Sequence, residues 1–327
     1  MQQLTIPDYV KGIKNGNMAI LSKAITLVES ALPRHQEIAE QIIEACLPYT
    51  GNSIRIGITG VPGVGKSSFI EKFGLYLIQA HKKKVAVLAI DPSSSISHGS
   101  ILGDKTRMEQ LSVHPNAYIR PTASGLALGG VSRKTRESIY LCEAAGFDTI
   151  IVETVGVGQS ETAVHSMVDF FLLLMLAGAG DELQGIKRGI MEMADALVIT
   201  KADGENSTKA KLAATEYKRA MHLLPPHAAG WIPETTICSA MDNTGMSEVW
   251  AIVEKYHRHS LLNGYFQQKR TNQALYWLEE TINSQLKQWF LNMPNMQENY
   301  NQLKQQVMDG SVTSYQAARQ LLALYKQ

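Results

Sequence analysis

Strand-like runs alternate with helical patterns through the middle of the chain. Runs dominated by β-branched and other apolar residues lie at 54–59, 85–90, 117–120, 148–152, 170–176, 196–200 and 235–237. Between the first two runs, apolar side chains recur at helical spacing, namely Phe69, Ile70, Phe73, Leu77 and Ile78. Strands that alternate with helices predict an α/β fold in which a mostly parallel central sheet is flanked by helices.

Helical periodicity also marks both ends of the chain. We predict an N-terminal helical segment at 1–49, interrupted by Pro33, a nucleotide-binding α/β domain at 50–263 and a C-terminal helical segment at 264–327. The C-terminal helices have no cluster of chemically active residues. Their aromatic and aliphatic side chains suit either an association surface or packing within the same chain, and the pattern does not choose between the two.

Charge, cysteine content and the length of apolar runs bear on which classes of function the chain can have. The 31 Lys and Arg residues nearly balance the 30 Asp and Glu residues, so the net charge of +1 gives no electrostatic argument for nucleic acid. Cys46, Cys142 and Cys238 are far apart, which predicts buried thiols in a reducing compartment. The longest apolar run, 170–177, is too short to span a bilayer, and we expect a cytoplasmic protein without a membrane partner.

A phosphate-binding loop follows the first strand. The pattern G-x-x-x-x-G-K-[ST] is met by Gly60, Val61, Pro62, Gly63, Val64, Gly65, Lys66 and Ser67, with Ser68 next on the helix. Backbone N–H groups of such a loop surround phosphates, Lys66 reaches the terminal phosphates, and the Ser67 hydroxyl ligates Mg²⁺. The alternative is a glycine-rich turn with an incidental lysine. Because the flanks are strand and helix, we predict a P-loop NTPase.

Acidic residues end two of the predicted strands. Asp91 ends the second strand, where it suits either Mg²⁺ or a helix N-cap before a proline, and the long polar loop that follows it contains Asp104. Glu153 ends a later strand, and Gly156 comes three residues after it. This arrangement predicts a carboxylate that holds Mg²⁺ and a glycine N–H that senses the γ-phosphate, with an ordinary strand end as the alternative.

The residue after Gly156 predicts slow hydrolysis. It is Val157, where small GTPases have the glutamine that orients the attacking water. Gln159 and Glu161 lie close by in sequence. Each can take over that task, or each can be a solvent-facing residue at a helix start.

A T-K-x-D motif at the end of a buried strand predicts which nucleotide base is bound. Asp203 can accept both the N1–H and N2–H of guanine, whereas adenine would leave it unpaired, so the motif favours GTP and GDP over ATP and ADP. Lys201 would pack its stem along the base. Thr200 replaces the commoner asparagine and keeps only a hydroxyl. Ser239 and Ala240 form the kind of turn whose N–H reaches guanine O6.

Together these residues resemble one family, the ArgK/MeaB-type GTPases of the SIMIBI class, which are chaperones of adenosylcobalamin-dependent methylmalonyl-CoA mutase. The resemblance covers nearly the whole chain and rests on the segments Gly60–Ser67, Ile90–Ser94, Gly99–Met108, Val152–Glu161, Asp181–Lys187 and Thr200–Asp203.

The resemblance implies a homodimer, built through the C-terminal helices, that couples GTP hydrolysis to loading or protection of the mutase cofactor. It also implies that Asp91, Asp104 and Glu153 surround Mg²⁺ and the attacking water. The loop that contains Lys187 would be a switch that rearranges when the mutase binds. Lys66, Asp104 and Lys187 are the expected catalytic residues.

Three other functions remain in view. A nickel-insertion GTPase would need a cluster of thiolates or imidazoles, and the nine histidines and three cysteines show no such spacing. A kinase of an arginine/ornithine transport system would normally use ATP, which Asp203 disfavours. A dimeric scaffold that binds nucleotide without hydrolysing it is compatible with Val157.

Overall fold

A seven-stranded parallel sheet forms the centre of the molecule. The structure is a computed structural model and describes residues 4–91, 108–123, 128–154, 160–178, 188–225 and 227–325. The strands are β1 (Ile54–Gly60), β2 (Val85–Asp91), β3 (Ala117–Ala123), β4 (Thr149–Thr154), β5 (Phe170–Leu176), β6 (Ala196–Thr200) and β7 (Glu234–Ile237). Their order is β3-β2-β4-β1-β5-β6-β7, and every neighbouring pair is parallel. The predicted α/β class is therefore confirmed.

Helices precede, connect and follow the strands. They are α1 (Ile6–Lys14), α2 (Met18–Glu29), α3 (Pro33–Cys46), α4 (Lys66–His81), α5 (Glu109–Ser112), α6 (Leu128–Ala144), α7 (Ser160–His165), α8 (Arg188–Met193), α9 (Asn206–His222), α10 (Met246–Leu262), α11 (Tyr265–Leu291), α12 (Met296–Met308) and α13 (Ser314–Leu324). Helix α6 starts at Leu128 and includes Gly129 and Gly130 in its first turn, although glycine has a low helix propensity.

The N-terminal helices pack on one side of the sheet domain. Thr5 and Asp8 form a reciprocal capping box that fixes the start of α1. Helices α2 and α3 pack against each other and against α6, with Leu21, Ile25 and Ile42 fully buried. Burial of these side chains stabilises the contact by about 1.5–3 kcal/mol each.

Buried ion pairs hold the amino edge of the sheet together. Asp169, which precedes β5, is 2% exposed and accepts hydrogen bonds from the backbone N–H of Arg55 at 2.8 Å and from Arg270 Nη2 at 2.7 Å. Arg270 also donates to the carbonyls of Gly51 and Ser53, both at 2.7 Å. The start of α11 is therefore fastened to the turns that lead into β1 and β5.

A second buried acid lies beside the first. Asp195, which precedes β6, accepts hydrogen bonds from the backbone N–H of Phe171 at 2.9 Å and from His227 Nδ1 at 3.2 Å, and Lys269 Nζ lies 3.7 Å away. Burial raises the pKa of Asp195, but Lys269 and the hydrogen bonds outweigh burial and lower that pKa overall. The carboxylate is thus charged and compensated inside the fold.

The cysteines are buried as predicted. Cys46, Cys142 and Cys238 are free thiols. Burial raises the pKa of Cys46 to about 11 and that of Cys238 to about 12, so neither side chain is a thiolate at neutral pH.

The chain divides into two compact units, Met1–Gln273 and Ala274–Gln327. The first contains the sheet and the helices around it. In the second, α12 and α13 pack together and Tyr325 contacts the rings of Trp289 and Phe290 at 5.7 and 6.4 Å. None of the helices in the described part of the chain is both long and apolar enough to cross a membrane.

Replacement of Arg270 tests the contribution of the amino-edge ion pairs. We predict that Arg270→Met lowers the free energy of unfolding by about 3–5 kcal/mol, because it removes the guanidinium group that pairs with the buried Asp169 carboxylate. Lys255→Met is the matched control, since the Lys255–Glu234 pair is 67% and 36% exposed and we expect a loss of about 0–1 kcal/mol. Urea denaturation of both variants measures the difference, and equal losses would contradict the prediction.

Candidate functional site

The phosphate loop joins β1 to α4 at the carboxyl edge of the sheet. Gly65 caps α4 with a φ of +86°, a conformation that favours glycine. Gly60 is required for a different reason, because a Cβ there would lie 2.5 Å from the carbonyl oxygen of Leu174 on β5. The loop residues Gly60, Val61, Pro62, Gly63, Val64, Gly65, Lys66, Ser67 and Ser68 thus form the predicted strand–loop–helix unit.

Lys66, Ser67 and Glu153 converge beneath this loop. Lys66 Nζ donates a 2.8 Å hydrogen bond to the Gly60 carbonyl. Ser67 Oγ lies 3.4 Å from Glu153 Oε1, and Glu153 is 5% exposed at the end of β4. Burial lowers the pKa of Lys66, while the negative charges of Glu153 and Glu161 oppose that effect. A hydroxyl and a carboxylate are therefore paired beside the cation.

Glu161 is also buried at this edge. It is 1% exposed on α7, so the alternative that it faces solvent was wrong. Sequence reasoning placed Glu161 near the site but could not decide its burial. The negative charge of Glu161, like that of Glu153, opposes the lowering of the Lys66 pKa by burial.

A hydroxyl pair that sequence reasoning missed links the two central strands. Thr154 Oγ1 donates a 2.9 Å hydrogen bond to Thr59 Oγ1, and both side chains are fully buried. Thr59 precedes the phosphate loop and Thr154 follows Glu153. The pair joins two strands far apart in sequence, and single threonines in strands carry no signal that would predict such a contact.

The residues predicted to select the base lie together at the ends of β6 and β7. Asp203 Oδ1 accepts a 2.9 Å hydrogen bond from Ser239 Oγ. The backbone N–H of Ala202 donates to the Cys238 carbonyl at 3.0 Å, which joins the two loops and places Ala240 beside them. An ordered carboxylate at this edge can accept the paired donors of a guanine base.

Thr200 and Lys201 connect the base-selecting loop with the phosphate loop. Thr200 Oγ1 donates to the Val64 carbonyl at 2.7 Å and lies 3.3 Å from that of Met175. Its hydroxyl thus ties β6 to the phosphate loop. Lys201 has a φ of +54°, and its Cε would lie 3.9 Å from a Cβ on Gly65. The Lys201 stem passes directly beside the loop.

Several predicted site residues lie outside the described residues. These are Asp104, Gly156, Val157, Gln159 and Lys187. The main chain of Asp91 ends β2, as the sequence predicted, and lies opposite Ala123 of β3. The Asp91 side chain is also outside the described set.

No group of three or more His, Cys, Asp or Glu side chains suited to a metal ion occurs within the described residues. The pair of Ser67 and Glu153 supplies the oxygen ligands that Mg²⁺ prefers, and Mg²⁺ commonly takes only one or two protein carboxylates.

Comparison with known proteins identifies relatives over most of the chain. The family model described as methylmalonyl Co-A mutase-associated GTPase MeaB matches residues 21–295. A probable GTPase of Mycobacterium tuberculosis (strain ATCC 25618 / H37Rv) is 47% identical over 98% of this chain and 95% of its own length. The GTPase ArgK of Escherichia coli (strain K12) is 47% identical over 86% of this chain and 87% of its own length.

A solved structure has the same fold over the whole chain. The crystal structure of a LAO/AO transport system kinase superposes with a TM-score of 0.79 and 37% identity, and the match covers 100% of this chain and 99% of that one.

A single substitution tests the base site. We predict that Asp203→Asn lowers affinity for guanine nucleotides and raises affinity for xanthine nucleotides, each by about tenfold or more, because an amide can donate to the additional xanthine carbonyl. Calorimetric titration with GDP and with xanthosine diphosphate measures both changes. Asp242→Asn, an exposed carboxylate in the adjoining turn, should change neither affinity. An unchanged preference for guanine in Asp203→Asn would refute this assignment.

Proposed function

The chain belongs to the MeaB family of methylmalonyl-CoA mutase-associated GTPases, and from that premise we propose that it assists cofactor loading or protection of an adenosylcobalamin-dependent methylmalonyl-CoA mutase. It is a GTPase that binds guanine nucleotides. We propose in addition that the chain communicates to the mutase which nucleotide it has bound. The connection between base site and phosphate loop through Thr200 supports binding of one whole nucleotide along this edge, and the family match supports the mutase as the partner.

The proposed nucleotide contacts follow from the geometry of the two loops. Residues 60–68 and Gly156 would surround the phosphates. Thr200, Lys201, Asp203, Ser239 and Ala240 would hold the base. Asp203 is kept in place by Ser239 at 2.9 Å, which restricts the carboxylate before a nucleotide arrives and lowers the entropy cost of binding.

We further propose that Mg²⁺ binds with GTP at Ser67, Asp91 and Glu153. The fit is supported by Ser67 Oγ and Glu153 Oε1, which lie 3.4 Å apart and point oxygen ligands to one place. Bound Mg²⁺ would neutralise charge on the β- and γ-phosphates. Lys66 would contact the terminal phosphates. Asp104 would act at the attacking water, and Lys187 would be the catalytic group that depends on the partner.

We place the interface of the proposed homodimer on the C-terminal unit. A stripe of large apolar side chains on α11 is 47–56% exposed and consists of Leu278, Ile282, Leu286 and Trp289. The four residues recur at intervals of three or four, so they lie on one face of the helix. Exposed apolar stripes of this kind mark association surfaces.

The mutase itself provides the direct test. We predict that an adenosylcobalamin-dependent methylmalonyl-CoA mutase, added in excess, accelerates single-turnover GTP hydrolysis by at least about tenfold, because Val157 cannot orient water without help. A mutase that does not depend on adenosylcobalamin serves as the control. Equal rates with and without the cognate mutase would count against the proposed function.

A kinase of a transport system remains the second candidate, since the superposed solved structure is described as one. Asp203 favours guanine and therefore opposes it. GTP should protect the protein from heat by about 2.7 kcal/mol at a hundred times its Kd. Equal protection by ATP would favour the kinase instead.

The contribution of Lys66 to GTP binding can be measured separately from dimer formation. We predict that Lys66→Ala abolishes tight GTP binding, because it removes the charge that contacts the terminal phosphates, and leaves the dimer intact. Calorimetry measures the first effect and light scattering the second. Leu286→Asp is the reciprocal variant, expected to give monomers that still bind GTP. A monomeric Lys66→Ala protein would show that the interface has been misplaced.

A further inference from the structure

The hydroxyl pair of Thr59 and Thr154 lies where the two central strands separate. Among the described residues, the backbone pairing of β1 with β4 ends at Ile58, opposite Glu153. Beyond that point β1 continues along β5 as far as Gly60, whereas β4 continues along β2 through Thr154. The 2.9 Å hydrogen bond from Thr154 Oγ1 to Thr59 Oγ1 therefore joins β1 and β4 one residue beyond their backbone pairing.

Each of the two threonines adjoins a different part of the candidate site. Thr59 directly precedes Gly60, the first residue of the phosphate loop. Thr154 directly follows Glu153, whose Oε1 lies 3.4 Å from Ser67 Oγ. The hydroxyl pair is thus a side-chain connection between the strand that enters the phosphate loop and the strand that ends in the carboxylate.

The hydroxyl pair and the Glu153 carboxylate lie on opposite faces of β4. Successive side chains of a strand point to opposite faces of the sheet, so Thr154 points away from a cation held by Glu153. Both threonines are fully buried, and a buried hydroxyl that loses its partner costs free energy. The pair can therefore act on the distance between Ser67 and Glu153 only through the backbones of the two strands.

We propose that Thr59 and Thr154 are positioning residues whose hydroxyl pair holds Glu153 beside Ser67 and so strengthens the binding of Mg²⁺ with the nucleotide. Mg²⁺ demands a nearly ideal octahedral arrangement of its oxygen ligands, so a small displacement of one ligand weakens its binding. The inference rests on the Mg²⁺ site proposed above and not on the partnership with the mutase.

Removal of one hydroxyl group tests the positioning role. Thr154→Val keeps the shape of the side chain and should raise the Mg²⁺ concentration at which GDP binding is half-maximally enhanced by about fivefold, the net value of one buried hydrogen bond. Its affinity for GDP in EDTA should change by less than about twofold, because the phosphate loop and the base site are intact. Isothermal titration with GDP at graded Mg²⁺ concentrations and in EDTA measures both. Thr154→Ser keeps the hydroxyl and should match the unmodified chain.

Two further variants separate positioning from stability. Thr149→Val removes a buried hydroxyl at the other end of β4, where Thr149 Oγ1 donates to Asp148 Oδ1 at 3.0 Å. It should lower the resistance to urea without changing the Mg²⁺ requirement. The double variant with Thr59→Val and Thr154→Val leaves neither hydroxyl unpaired, so its resistance to urea should exceed that of Thr154→Val. Its Mg²⁺ requirement should stay raised by about fivefold, because the connection between the strands is still missing.

Several results would overturn the proposal. One is an unchanged Mg²⁺ requirement in Thr154→Val, and another is an equal increase in Thr149→Val. A double variant that regains the normal Mg²⁺ requirement together with its stability would also do so. If Thr154→Val does not fold, the double variant decides by the same measurement, and failure of both to fold would mean that the pair serves stability instead. An unmodified chain whose GDP affinity does not depend on Mg²⁺ would refute the Mg²⁺ site itself.

Discussion

Parallel pairing of β1 with both β4 and β5 is the constraint on which the site depends. Parallel strands bring their carboxyl ends to one edge, so the phosphate loop after β1 and Glu153 at the end of β4 become neighbours although they are far apart in sequence. Gly60 permits the close approach of β1 and β5, because any side chain there would meet the backbone of β5. The chemistry of the site follows from strand order before any single side chain is considered.

Buried acidic side chains lie at both edges of the sheet, but their surroundings differ. At the amino edge, Asp169 and Asp195 are each compensated by cations and hydrogen bonds from α11 and from neighbouring loops. At the carboxyl edge, the negative charges of Glu153 and Glu161 both oppose the lowering of the Lys66 pKa by burial. The contacts at the amino edge fix the strands, whereas the acidic side chains at the carboxyl edge supply oxygen atoms of the kind that cations prefer.

Sequence reasoning succeeded where the signal is local. Strands buried on both faces read as continuous apolar runs, and the phosphate and base motifs sit at their ends, so the fold and the positions of Lys66 and Asp203 were predictable. It failed where a contact joins distant segments. Arg270 and Asp169 are 101 residues apart, and neither lies in a motif. The burial of Glu161 likewise depends on how α7 packs over Gly57, which no spacing in the sequence reports.

Thr200 shows how a departure from a pattern can be understood from its contacts. Asparagine is commoner at this position, and Thr200 keeps only a hydroxyl. In the structure the Thr200 hydroxyl acts as a hydrogen-bond donor to the Val64 carbonyl at 2.7 Å, and Thr200 is 4% exposed. A short β-branched side chain has one strongly restricted χ1 angle and loses little entropy when it makes this bond. A buried amide at the same place would need a partner for its oxygen as well. The connection between base site and phosphate loop therefore requires one hydroxyl and the close approach of β6, and the threonine satisfies both.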